Sequence, residues 1–161
     1  MDHKNNFLLE KETIKRFESF AQIFIYDPVQ PDLKLKIDFV NDISQHYGDF
    51  EYNKELGKID SWQNILSNKL TALFRFEPKD ITDIWMISTH KKFSWKSIVK
   101  EAKNKEAGIE PEVIFNILKS FPIGQLELIK WISKPDPFQF KNDLSIIADD
   151  IFNGRENSLI N

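Results

Sequence analysis

The chain has 161 residues, 41% of them hydrophobic, and a formal net charge of −3. That is enough for one core-bearing domain or two small lobes sharing a core, and the acidic balance argues against capture of nucleic acid over a broad face, though not against a local basic groove. With no cysteine, disulfides, thiolate metal sites and thiol nucleophiles are excluded, and His3, His46 and His90 lack the spacing of a histidine-bound zinc.

Residues 1–6 are polar, with no apolar segment of signal-peptide type, and no apolar run approaches a membrane span. A cytoplasmic protein with no membrane partner is the expectation, and the Lys-, Asn- and Ile-rich composition suggests an AT-rich bacterial genome. Residues 8–20 read as an amphipathic helix with Leu9, Ile14, Phe17 and Phe20 inward. Residues 22–26 form a short apolar and aromatic run of strand type, and 27–32 read as a turn because Pro28 and Pro31 cannot donate to a sheet ladder. Residues 33–40 then alternate strictly. Leu33, Leu35, Ile37 and Phe39 take one face, with Lys34, Lys36 and Asp38 on the other, so a hairpin with residues 22–26 is expected.

From about residue 60 the pattern is helical. Candidate helices run over 61–76, 80–89, 94–106, 110–119, 124–132 and 137–153, punctuated by Pro78, Pro111, Pro122, Pro135 and Pro137. Ser61, Ser94 and Asp136 are N-cap candidates, and the tail after Phe152 reads as a helix stop followed by a frayed end. The fold class expected is α+β: a small antiparallel sheet followed by a helical bundle, divided as an α/β part over 1–58 and a helical part over 59–161.

Four positions carry candidate chemistry. Asp38, beside Lys34 and Lys36, suits either a carboxylate for Mg²⁺ and a triphosphate or an ordinary solvated strand face. Lys69 falls within an apolar stripe of Trp62, Ile65, Leu66, Ala72, Leu73 and Phe76. It either snorkels to an edge or presents its ammonium to phosphate. Asp80 and Asp83, in the first turn of the next helix, either cap free N–H groups or turn inward to orient Lys69. Arg75 and Lys79 add local positive charge. The lysines over 96–105 read as the wet face of a helix, with RNA contact as the alternative.

Three segments occur in order: Ile37-Asp38-Phe39, Lys69-Leu70-Thr71-Ala72, and Lys79-Asp80-Ile81-Thr82-Asp83. Together they resemble the AbiEii/AbiGii toxin family of nucleotidyltransferases, which have a polymerase-β-like fold and carry a strand Asp, then KxxA, then (R/K)DxxD. The closing segment from Asp150 to Asn157 is also similar to that family's C-terminal region. The resemblance implies nucleotidyl transfer from an NTP to RNA or another acceptor with Mg²⁺. Asp38 would be a metal carboxylate, Lys69 with Arg75 would contact the triphosphate, and Asp80 and Asp83 would support the lysine or the acceptor site. The family's Gly-rich turn and Asp-x-Asp strand have no counterpart here, and one Asp cannot hold two cations. The chain thus matches the C-terminal two-thirds of such a protein and is expected to be inactive alone. Two other roles are an antitoxin-binding or other interaction module and one half of a split enzyme, with a second chain or a second copy pairing at the sheet edge.

Overall fold

The computed structural model describes residues 7–41 and 45–160, and the polar opening over 1–6 lies outside them. The chain divides into two compact units, Met1–Ser44 and Gln45–Asn161. The architecture is α+β, with small antiparallel sheets and a helical remainder, as the sequence pattern implies.

The first unit is a sheet. Strand β1 (Leu8–Leu9) and β2 (Lys15–Arg16), separated by a 3₁₀ turn over Lys11–Thr13, both pair with one side of β3 (Phe20–Asp27). The other side of β3 pairs with β4 (Gln30–Val40) in regular antiparallel register from Phe20 opposite Val40 to Tyr26 opposite Lys34. The expected helix over 8–20 is therefore corrected to strand. Helical periodicity there loses to ladder hydrogen bonds, with the Glu10 N–H on the Phe24 carbonyl at 2.9 Å and the Phe17 N–H on the Phe20 carbonyl at 2.7 Å. The turn is tighter than expected and spans Asp27 to Gln30, held by the Asp27 carboxylate accepting the Val29 N–H at 2.8 Å. Pro31 falls inside β4, which an edge strand tolerates.

The strict alternation survives. Partners in the ladder share a face, so Ala21, Ile23 and Ile25 lie with Phe39, Ile37 and Leu35, and Leu9 extends that face. Among the described residues of this unit no side chain is fully buried, and Leu33, Leu35 and Phe39 are 60%, 57% and 54% exposed.

The second unit opens with a small hairpin, β5 (Glu51–Asn53) and β6 (Gly57–Ile59), which lies outside the expected elements. The helices are α1 (Trp62–Ala72), α2 (Pro78–Ser88), α3 (Trp95–Lys105), α4 (Pro111–Lys119) and α5 (Pro137–Phe152). They close around a core that includes Leu66, Leu70, Leu73, Ile84, Trp95, Ile98, Ile114, Phe140 and Ile147. Ser61 caps α1 by accepting the Asn64 N–H at 3.0 Å, and Asp136 caps α5 by accepting the Gln139 N–H at 2.8 Å. Ser94 stands at the start of α3 but makes no side-chain capping bond, a correction to its expected role. Gly48 packs beside the first of these caps: a Cβ there would meet the Ser61 Oγ at 2.7 Å, and its φ is +76°.

Two helical expectations fail locally. Residues 124–132 form only a 3₁₀ stretch over Ile123–Leu128. The Leu126 carbonyl accepts both the Ile129 N–H and the Trp131 indole N–H, at 2.9 Å for the latter, so the α-helical ladder cannot continue. The tail after α5 is not frayed. Gly154 turns the chain at φ +60°, and Asn157, buried, donates its side-chain amide to the Ser88 and Lys91 carbonyls at 2.7 Å each. Asp150, also buried, accepts the Ser158 N–H and hydroxyl.

Candidate functional site

Helix α1 ends at Ala72 and runs into a 3₁₀ turn over Leu73–Arg75. Phe76 follows in left-handed backbone (φ 54°, ψ 30°) before Glu77 extends and Pro78 opens α2. A bulky side chain at positive φ is strained, and here it reverses the chain within a few residues. The reversal lays the first two turns of α2 against the last turn of α1, which brings Asp80, in the first turn, and Asp83, in the second rather than the first as expected, to Lys69.

The geometry is specific. The Lys69 Nζ donates to Asp80 Oδ1 at 2.8 Å and meets Asp83 Oδ2 at 2.6 Å. Arg75 Nη2 reaches the other Asp80 oxygen at 3.0 Å. The Asp80 side chain is only 1% exposed, Lys69 24%, Asp83 47% and Arg75 64%, so the cluster grades from a buried carboxylate to a solvent-facing guanidinium. A carboxylate buried to that degree needs its pairing. Desolvation works against charge on Lys69, but the hydrogen bonds to Asp80 and Asp83 outweigh it and hold the ammonium above its ordinary pKa. Of the two arrangements left open for the aspartates, pairing with Lys69 is the one observed. The N-cap position of α2 carries no side-chain capping bond, although a carboxylate at Asp80 still lies favourably in the helix field.

The stripe around Lys69 is a correction. Leu66, Leu70 and Ala72 of α1, with Leu73 just beyond it, form the buried line, whereas Ile65 and Phe76 are exposed and Trp62 is half-buried. Lys69 sits beside that line, adjacent to Leu70, rather than inside it. Its side chain is largely covered and its head finds the two carboxylates.

Asp38 belongs to the first unit. It accepts from the Gln22 side-chain amide at 2.8 Å across the ladder and pairs with Lys36 Nζ at 2.9 Å on its own strand. These contacts, led by the Gln22 hydrogen bond, hold its carboxyl below the usual range. Its neighbours are an amide and an ammonium, a donor set that does not suit a divalent cation, and among the described residues no three His, Cys, Asp or Glu side chains gather as metal ligands.

A second polar cluster corrects the wet-face expectation for the last lysine of the stretch 96–105. Lys105 Nζ, on α3, donates to Asn64 Oδ1 at 2.5 Å, Ser67 Oγ at 2.8 Å and Asn68 Oδ1 at 2.6 Å, all on α1. Asn64 in turn donates to Asp60 at 2.8 Å, and Asp60 meets the His46 Nε2 at 2.6 Å. Nearby, Glu101 accepts from the Gln63 amide through Oε1, while its buried Oε2 has no partner among the described residues. Burial is the largest influence on Glu101 and pushes its carboxyl up. The signal was present in the sequence: Asn64, Ser67 and Asn68 recur at i, i+3 and i+4, a polar line with helical period. No helix among the described residues is long and apolar enough to cross a membrane.

No family model, no curated protein and no solved structure matches the chain.

Proposed function

We propose that the chain is a nucleotidyltransferase-like protein of the AbiEii type, working in the bacterial cytoplasm, and that alone it does not transfer nucleotides. What supports this reading is the convergence of Lys69, Asp80 and Asp83 from two helices onto one ion cluster, with Arg75 at its rim. In this reading Lys69 and Arg75 form the phosphate-facing side of the site, and Asp80 and Asp83 position the lysine. The cluster's two cations and two anions leave no excess positive charge for a triphosphate. Asp38 would be the carboxylate remaining from a metal site that the intact family fills with Mg²⁺. Its present neighbours do not fit that ion, so no step is derived through it.

The test incubates the purified chain with Mg²⁺, labelled NTPs and RNA. The expected result is neither labelled RNA nor labelled protein, with unchanged NTP. Transfer at an appreciable rate, abolished by Lys69→Met, would overturn the inactive reading.

The exposed apolar face of the sheet and the open side of β4 favour a second, non-enzymatic reading: an interaction module that accepts another chain, such as an antitoxin, at the sheet edge. Size-exclusion chromatography with light scattering checks it. A strictly monomeric chain that also binds no strand-forming partner would count against it.

A further inference from the structure

Strand β4 is eleven residues long and, among the described residues, pairs with β3 alone, so its other side has no described strand beside it. The ladder tells which of its backbone groups point there. The Asn41 N–H bonds the Ser19 carbonyl, while on the far side of β3 the Phe24 and Phe20 carbonyls accept from Glu10 and Phe17. Antiparallel strands alternate the direction of their backbone groups. Over the regular stretch 34–40, odd-numbered residues of β4 therefore turn their N–H and C=O toward β3, and Lys34, Lys36, Asp38 and Val40 turn theirs outward.

An outside strand must match that parity and the side chains above it. For a second copy of β4 laid antiparallel about a two-fold axis, parity allows only registers that pair even residues with even residues. Centring the axis on Leu35 sets Lys34 against Lys36 twice; centring it on Lys36 sets Lys34 against Asp38 twice but that lysine against itself. Centring it on Ile37 sets each Lys36 opposite the other copy's Asp38, with Leu35 opposite Phe39 and Ile37 opposite Ile37. Lys36 already pairs with Asp38 along its own strand at 2.9 Å. The four charges then form a square whose adjacent members are all of opposite sign, and Lys34, the next charge along the strand, is paired with Glu10 at 2.5 Å. The paired stretch over 34–40 contains no proline and makes about eight backbone hydrogen bonds.

We infer that β4 is a homodimerisation edge, in which two copies pair antiparallel about Ile37 with Lys36 of each opposite Asp38 of the other. This rests on the reading of the sheet edge as open to another chain, and it names that chain as a second copy. The lysines that would ordinarily guard such an edge are met by carboxylates in this one register. The pairing is isologous, as a two-fold dimer requires, and joins the apolar faces of the two sheets into one. An interface of one strand per copy is small, so the dimer dissociates on dilution.

The experiment is a charge swap on the full chain, followed by light scattering across a concentration series. The parent chain is expected to be dimeric at high concentration. Lys36→Asp places aspartates opposite each other and Asp38→Lys places lysines opposite each other, and each variant weakens the dimer about tenfold or more. Mixing the two variants restores a heterodimer, because every cross-strand pair is again of opposite sign, and the double swap in one chain restores the homodimer. Circular dichroism of each variant checks that the sheet is intact. A monomeric parent chain, or single variants that dimerise as the parent does, overturns the inference. Residue-resolved amide exchange then separates this failure from failure of the open-edge reading. In a monomer, fast exchange at residues 34, 36, 38 and 40 beside protected odd positions leaves the edge open to some other chain. Protection at all of them closes the edge and defeats both.

Discussion

The two units use the same apolar fraction of the chain in opposite ways. The helical unit buries Trp95, Phe140 and the leucines of α1 almost completely, and it even buries charge, because Asp80 finds Lys69 and Arg75 within 3.0 Å. The sheet unit has a face of the same quality (Leu9, Ile23, Ile25, Leu35, Ile37 and Phe39) and leaves much of it in water. A helix hairpin can close over its own ion pair within a dozen residues. A single sheet cannot cover its own face and needs a second layer or a further strand. The first unit is thus held by its ladder, the second by its core.

Truncations break the comparison most sharply. Phe140→Ala is expected to cost about 4 kcal/mol in urea unfolding, because it empties the centre of the helical core. Leu35→Ala, at a residue more than half exposed, costs less than about 1 kcal/mol in the same measurement. Equal losses would mean that the sheet face is covered within the folded chain.

The next effect concerns the ion cluster. Lys69→Met leaves the buried Asp80 with Arg75 alone and lowers stability by about 2–3 kcal/mol near neutral pH. The raised lysine pKa gives the sign with pH. Its contribution is complete below the unfolded value near 10.5 and fades as pH rises through the higher folded value. An alkaline unfolding series should show that loss in the parent chain and a shallower one in Lys69→Met; parallel curves would contradict the assignment.

Asn157→Ala removes two hydrogen bonds to the Ser88 and Lys91 carbonyls and is expected to cost about 1–2 kcal/mol. Faster proteolysis of the tail should accompany it, while a tail that was already accessible would sink the docked description. The smallest change is opposite in sign. Burial raises the folded pKa of Glu101, so its favourable share of stability is complete below the unfolded value near 4.5 and is lost as pH rises through the higher folded value. Glu101→Gln should therefore be more stable than the parent at pH 7 and flat through that window, as followed by thermal unfolding at stepped pH.

Legibility in the sequence followed the range of the interactions. The period-2 run over 33–40 and the caps at Ser61 and Asp136 were readable because each is decided within a few residues. Lys69, Asp80 and Asp83 were readable as candidates, since an acid pair after a proline-opened helix is a local pattern. That they turn to the lysine rather than cap depends on the reversal at Phe76, a residue whose type gives no hint of positive φ. Residues 8–20 misled because their apolar spacing fits a helix and only pairing with β3 makes them strand. The docked tail and the Lys105 cluster were hidden for the same reason: their partners lie tens of residues away.

Amide exchange of the full chain at two protein concentrations tests the contrast between the units most directly. Protection at residues 34, 36, 38 and 40 is expected to rise with concentration, while protection in α1 through α5 stays the same. Protection at those β4 amides that is equal at both concentrations would contradict that contrast.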